Sequence, residues 1–130
     1  MTDTIADMLI RIKNAYLVGK TQVTLPCSRA KQAIAQVLVN GGYLQEMQVV
    51  ANTKGQNDLV LTLKYVGDLP AMTDVKRISK PGCRVYVTSA KIPAVLHGYG
   101  LAILSTSQGI LAGNDAKAKH LGGELLAEIW

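Results

Sequence analysis

Apolar residues at the start of the chain recur at helical spacing. Ile5, Met8, Leu9 and Ile12 in TIADMLIRIKNA stand at i, i+3, i+4 and i+7, which predicts an amphipathic helix with one inward stripe. Thr4 suits its N-cap, and Asp7 at N3 suits both a capping box and the helix dipole. Arg11 and Asn14, three positions apart, share a face away from that stripe. QVTLP is short, partly β-branched and stopped by Pro26, as an edge strand would be. Ser28 then caps a second helix whose Ala30, Ile34, Val37 and Leu38 turn inward, and Asn40-Gly41-Gly42 ends it.

The pattern next switches to strands. YLQEMQVVA and LVLTLKYV flank the polar, Gly-containing NTKGQND, which predicts a hairpin. Residues 1–66 therefore read α-β-α-β-β, with a helix pair covering one face of a small sheet. GDLPAMTD reads as a linker, taken as residues 67–73. Residues 74–130 turn mostly β: VKRI, a turn at Ser79-Lys80-Pro81-Gly82, RVYVT, a loop over KIPAVLHGYG with a helical turn in it, then LAILST and GIL meeting at Ser107-Gln108-Gly109. NDAKAKHL is a short helix, Gly122-Gly123 stops it, and ELLAEIW closes as a strand. The fold class is α+β: two small α/β-type domains, the second mostly β with one short helix. Neither half alone holds a large core, so the two are expected to pack together.

Composition narrows the function. Of the 130 residues, 48% are apolar, ordinary for a folded soluble protein, and no apolar run approaches the ~18 residues of a membrane span. The start, Met1-Thr2-Asp3-Thr4, suits neither a secretion signal nor a transit peptide. Cys27 and Cys83 lie far apart and form no CxxC pair, so free thiols are expected, with no disulfide framework or zinc site. The two histidines, His97 and His120, have no nucleophile or orienting carboxylate in sequence context; one reads as a loop residue, the other as the polar end of a helix. Gly98-Tyr99-Gly100 lacks a third glycine and precedes a strand, whereas a dinucleotide fingerprint follows one. No catalytic, cofactor or metal motif is visible, and no enzyme is expected.

Charge points elsewhere. The net charge is +5, and between Asp74 and Asp115 there is no acidic residue, while Lys76, Arg77, Lys80, Arg84 and Lys91 fall in that window. These five basic residues account for the whole net charge. Such a segment attracts polyanions, nucleic acid above all, unless it is simply a solvated basic face. Arg84, Tyr86 and Thr88 alternate with Val85 and Val87, so they share a strand face. Tyr86 can stack on a base or sugar while basic neighbours hold phosphates, or it can merely cover the sheet. Phe is absent and aromatics are 5% of residues, which argues against a broad stacking platform for single strands. Structured RNA read by shape and sugar hydroxyls is the better match. Beside this basic window, LAILSTSQGIL sets Ser105, Thr106 and Ser107 between two apolar runs. Three small neutral hydroxyls can select a geometry of bases, phosphates and 2′-hydroxyls that charge has attracted. They can equally form a tight turn and bond their own backbone.

Over essentially the whole chain these stretches resemble one family. DTIADMLIRIKNA, ISKPGCRVY, GYGLAILSTSQGIL and GGELLAEIW occur in the order and spacing of the small-subunit ribosomal protein S-eight family, in its bacterial form. The resemblance implies a two-domain, non-enzymatic protein of the cytoplasmic small ribosomal subunit, with no cofactor and no membrane partner. It implies direct, early binding to the central domain of the small-subunit ribosomal RNA, the C-terminal domain holding an irregular helix with unpaired or bulged bases. It also implies neighbouring small-subunit proteins such as S-five and S-twelve, and a monomer off the ribosome. Some members also bind a messenger that mimics the ribosomal site, and the sequence does not separate that regulatory role from the first.

Carried over residue by residue, the resemblance puts Ser105, Thr106 and Ser107 on the hydroxyl loop at the RNA core. Gly123 and Glu124 fall on a second contacting segment, with Glu124 accepting from base or sugar donors. Tyr86 is the aromatic on the adjoining strand, and Lys80 and Pro81 the turn near the RNA backbone; Arg84 stands in the same basic stretch. Thr4, Arg11, Asn14 and Lys31 match positions facing a second RNA segment. The chain departs from the family at Thr4, usually proline; at Cys83, often basic or apolar; at Gln108, usually lysine; and at Ala112-Gly113-Asn114, usually Thr-Asp-Arg.

Overall fold

A computed structural model describes residues 3–52 and 55–130; the side chain of His97 and the middle of the expected turn over NTKGQND lie outside the described residues. The elements run α1 (Thr4–Leu17), β1 (Gln22–Pro26), α2 (Arg29–Asn40), β2 (Leu44–Ala51), β3 (Asn57–Leu63), β4 (Tyr65–Val66) and β5 (Leu69–Pro70). They continue with β6 (Val75–Arg77), β7 (Tyr86–Val87), two 3-10 turns (Ser89–Lys91 and Val95–Gly98), β8 (Leu101–Thr106), β9 (Gly109–Ala112), α3 (Gly113–Ala118) and β10 (Gly123–Ile129). This is the mixed α/β architecture expected, helices first and strands dominating later. The chain forms two compact units, Ile5–Met72 and Thr73–Trp130 with the first residues of the chain.

In the N-terminal unit an antiparallel sheet of order β1-β3-β2 is built around β3. Leu59, Leu61 and Leu63 alternate inward along β3, as period-two patterning demands. Met8, Leu9, Ile12, Ala15 and Tyr16 of α1 are buried, as are Ile34, Ala35, Val37 and Leu38 of α2. Two expectations shift here. Ala30, in the first turn of α2, is exposed, and Ala35 completes the inward stripe instead. Thr4 is itself the first helical residue and not the flanking cap; Asp3, before it, spends its carboxylate on Arg77 at 3.0 Å. The cap at Ser28 is as expected, its hydroxyl accepting from the Lys31 amide at 3.2 Å.

Residues 65–70, four of the six within the expected linker, form a two-stranded ribbon in which Tyr65 faces Pro70 and Val66 faces Leu69. Gly67, at φ 63°, makes its tight turn possible. Met72, just beyond, is buried.

Tyr16 ties the N-terminal unit together. Its hydroxyl donates to the Tyr43 carbonyl at 2.6 Å and accepts from the Lys64 amide at 3.0 Å, linking α1 to the starts of β2 and β4. Its ring meets Tyr65 edge-on, centroids 5.4 Å apart. Burial raises the phenol's pKa further above neutrality. Tyr16→Phe takes one partner from a part-buried carbonyl and one from a part-buried amide. It is expected to cost about 2 kcal/mol, within the penalty for buried unpaired polar groups, measurable as a lowered urea midpoint with unchanged slope.

In the C-terminal unit β10 is central. It pairs antiparallel with β8 on one side and with β6 and β7 on the other, and β9 extends the sheet beyond β8. Ile92, Val95, Ala102, Leu104, Ala116 and Leu125 form the core, with Ile78, Val87, Leu111 and Trp130 packed around it. The turn expected at Ser79–Gly82 sits one residue later. Lys80 and Cys83 exchange both backbone hydrogen bonds, at 3.0 and 2.9 Å, around Pro81-Gly82. Ser79 lies two residues beyond β6, its amide donating to the Leu125 carbonyl at 3.1 Å, and is fully buried. The strand expected over RVYVT pairs with the sheet only at Tyr86 and Val87.

Candidate nucleic-acid interface

Strand register builds the site. Glu124 on β10 stands opposite Tyr86 on β7 and opposite Ser105 on β8, and Ser105 stands opposite Ile110 on β9. Directly opposed residues of antiparallel strands project to the same face. Tyr86, Glu124 and Ser105 therefore form one lateral row, which at ~4.8 Å per strand spans roughly 10 Å, a width suited to a base or a sugar with its neighbours. Tyr86 is 71% exposed, so it does not cover the sheet but stands open beside the carboxylate.

Glu124 is the most constrained member. Its side chain is only 15% exposed. Oε2 accepts from the Ser79 hydroxyl at 2.5 Å and from Arg84 Nη1 at 3.0 Å. Burial works against ionisation, but those two hydrogen bonds and the charges of Arg84 and Arg77 outweigh it and hold the carboxyl below its ordinary value. At neutral pH the row thus carries a carboxylate, an acceptor in the middle of a basic neighbourhood.

The hydroxyls divide their work. Thr106 belongs to its own turn: its Oγ1 donates to the Gly109 carbonyl at 2.7 Å and accepts from the Gln108 amide at 3.1 Å. That is the self-bonded turn the sequence allowed. Ser107 is exposed at the tip of the β8–β9 hairpin, and Ser105 is half-buried in the row. One hydroxyl shapes the loop, one stands opposite Glu124, and one is exposed on the hairpin turn. Gly123 brings the strands together: a Cβ there would overlap the Ser105 carbonyl oxygen and stand 3.2 Å from Thr106 Cα.

Around the row, Lys80 is exposed on its turn with Pro81 beside it, and Arg84 is half-exposed while bonded to Glu124. The C-terminal candidates Ser105, Thr106, Ser107, Gly123, Glu124, Tyr86 and Arg84 converge, with the Lys80–Cys83 turn joined to them through Ser79. Ser79 itself is the residue the sequence reading passed over, because three of the four residues of SKPG are turn formers. Its only signal was a serine directly after the β6 pattern.

The N-terminal candidates are organised separately. Arg11 and Asn14 line a cleft of about 440 Å³ together with Lys20, Gln22 and Thr24. Arg11 is held by Asp7 at 3.2 Å across one helical turn. Lys31 is not in that cleft; its Nζ donates to the Pro26 carbonyl at 3.4 Å. Thr4 is exposed at the start of α1. Among the departures from the family pattern, Gly113 is buried tightly, a Cβ there meeting Ala102 and Ile92 at 3.1 Å each, whereas Asn114 is exposed.

Both cysteines are free thiols, Cys27 half-buried and Cys83 exposed. Among the described residues no group of three or more His, Cys, Asp or Glu could hold a metal ion, and no helix is long and apolar enough to cross a membrane.

A family model described as ribosomal protein S8 matches residues 3–130. The chain belongs to the ribosomal protein S8 family. It is 49% identical to the small ribosomal subunit protein uS8 of Spiroplasma kunkelii, over all of this chain and 99% of that protein. It is 46% identical to the uS8 protein of Mycoplasmopsis pulmonis, over all of this chain and 98% of that one. It is 44% identical to the small ribosomal subunit protein uS8c of Chlorokybus atmophyticus, over all of this chain and 99% of that one. Proteins of the ribosomal protein S8 family are structural RNA-binding components and not enzymes. Membership gives this chain a ribosomal RNA-binding role in translation, alongside ribosomal RNA and other ribosomal proteins.

Proposed function

We propose that the chain binds the central domain of the small-subunit ribosomal RNA directly and helps that RNA assemble. In this reading the C-terminal unit holds an irregular helix. Tyr86 stacks on a base or sugar, Glu124 accepts from a base or 2′-hydroxyl donor, and Ser105 and Ser107 fit the neighbouring groups. Lys80 and Arg84 attract the backbone, with Pro81 and Thr106 shaping the turns that present them, and Gly123 lets the strands meet. Thr4, Arg11, Asn14 and Lys31 face a second RNA segment. The protein works in the cytoplasmic small subunit beside proteins such as S-five and S-twelve, and is a monomer off the ribosome. What carries the reading is the row Tyr86–Glu124–Ser105. An ionised acceptor between an open aromatic ring and small hydroxyls is poorly suited to phosphate, and well suited to donors that bulged bases and sugars expose.

The test is capture of bound RNA from cell extract on the intact protein, followed by sequencing. Enrichment of the central domain of the small-subunit RNA is expected. Enrichment of a messenger segment alone would replace this reading with that of a translational regulator, and capture of RNA without sequence bias would remove both.

A further inference from the structure

Ser79 is fully buried, and its hydroxyl has two partners of different kinds. The Val85 amide donates to Oγ at 3.1 Å. A hydroxyl has one hydrogen to give, and that hydrogen goes to Glu124 Oε2, on a residue 45 positions away. Buried serines commonly bond nearby backbone; this one spends its only donor on a side chain of the surface row. Its own place is fixed by the backbone bond from its amide to Leu125, the neighbour of Glu124. With Arg84 on the same oxygen, Oε2 is occupied from two directions and Oε1 takes neither bond.

We propose that Ser79 is a positioning residue of the RNA site: its buried hydroxyl fixes the Glu124 carboxylate so that Oε1 is the oxygen offered to a donor group of the RNA. This rests on the RNA reading above and adds to it the residue that aims the acceptor. The exposed Arg84 cannot do so alone, because a half-exposed guanidinium exchanges partners with water, whereas a buried hydroxyl held by the Val85 amide, on a residue whose own amide is bonded to Leu125, has one orientation. The same bond links the Lys80–Cys83 turn, which lies between Ser79 and Arg84, to the row.

Three variants test this: Ser79→Ala, Glu124→Gln and the double variant. Each is titrated with purified small-subunit ribosomal RNA and with a fully paired RNA duplex, from neutral pH down through the carboxylate range. The charged and titratable groups facing Glu124 are Arg84, Arg77 with its partner Asp3, and Tyr86; β8, on its other side, carries no titratable side chain. Ser79→Ala is expected to weaken ribosomal RNA binding about tenfold, the worth of one hydrogen bond to a charged group, and to leave duplex binding unchanged. Its binding should also fail at a higher pH than the wild type's, since Glu124 loses a bond that keeps it ionised. Glu124→Gln has no carboxyl to titrate and controls for protonation of the RNA. In that background Ser79→Ala should change nothing further.

Additive losses in the double variant, or an unmoved pH midpoint in Ser79→Ala, overturn the positioning role while leaving the RNA reading intact. A wild type that does not prefer ribosomal RNA over the duplex overturns both. Should Ser79→Ala melt below the assay temperature, Ser79→Cys, nearly isosteric but a weak donor, is read in the same cycle with the same criteria.

Discussion

Gly123→Ala is expected to destabilise the C-terminal unit by about 3 kcal/mol, at the upper end of what overpacking costs, lowering the melting temperature by roughly 10 °C. The added methyl has no free direction. It would overlap the Ser105 carbonyl oxygen, with the Ser105 carbonyl carbon 3.0 Å away and Thr106 Cα 3.2 Å away. All three neighbours are backbone, so no side chain can rotate aside. β10 must separate from β8 where Glu124 pairs with Ser105, and β10 is also the strand that β6 and β7 rely on. Differential scanning calorimetry of the intact chain measures the cost. Loss of specific RNA binding should accompany it even below the melting temperature, because the row itself is pulled apart. A variant as stable as the wild type would show that the strands have room the packing denies.

Glu124→Gln is expected to weaken binding to ribosomal RNA about 100-fold while leaving binding to a fully paired duplex within a few-fold. A glutamine offers one acceptor and one NH₂ group in place of two acceptors. Ser79 and Arg84 both donate toward the same position, so either the amide NH₂ meets those donors or it turns toward the RNA and meets a donor there. An unpaired buried polar group costs ~1–3 kcal/mol, and 1.4 kcal/mol is a factor of ten. The variant should also lose part of the protein's stability at neutral pH. The folded-state pKa of Glu124 lies below its ordinary value of 4.5. Its ionised form therefore stabilises the fold above that value, and the contribution disappears as pH falls through the lower folded-state value. The stability gap between wild type and Glu124→Gln should narrow on acidification below 4.5. A gap that widens would mean that the carboxyl is not held in its charged form.

Much of the fold was legible because local pattern and tertiary packing agree. The α1 stripe, the Ser28 cap, the inward alternation of β3 and the β8–β9 hairpin each follow from spacing alone. The acid-free basic window and the hydroxyl loop were visible for the same reason. The row was not, because pairing Glu124 with both Tyr86 and Ser105 is a matter of register between strands distant in sequence, and a shift of one residue would turn each side chain to the other face. Ser79 was read as a turn residue because its neighbours are turn formers; the Lys80–Cys83 bonds displace the turn by one position and free Ser79 for the interior. Residues 67–73 read as a linker for similar reasons; within them residues 67–70 pair back on Tyr65 and Val66, Met72 is buried, and Thr73 begins the other unit. Thr106 takes the self-bonded reading of its motif and builds the turn from which Ser107 projects.

The central claim is that basic residues gather RNA while the neutral and acceptor groups of the β7–β10–β8 row and of the adjoining β8–β9 turn choose among RNAs. The most direct measurement compares Ser107→Ala with Lys91→Ala on small-subunit ribosomal RNA and on a fully paired duplex, at fixed salt. Ser107→Ala should lower affinity for the ribosomal RNA alone, shrinking the ratio between the two ligands, whereas Lys91→Ala should weaken both by a similar small factor. Equal losses on both RNAs for both variants would contradict the account.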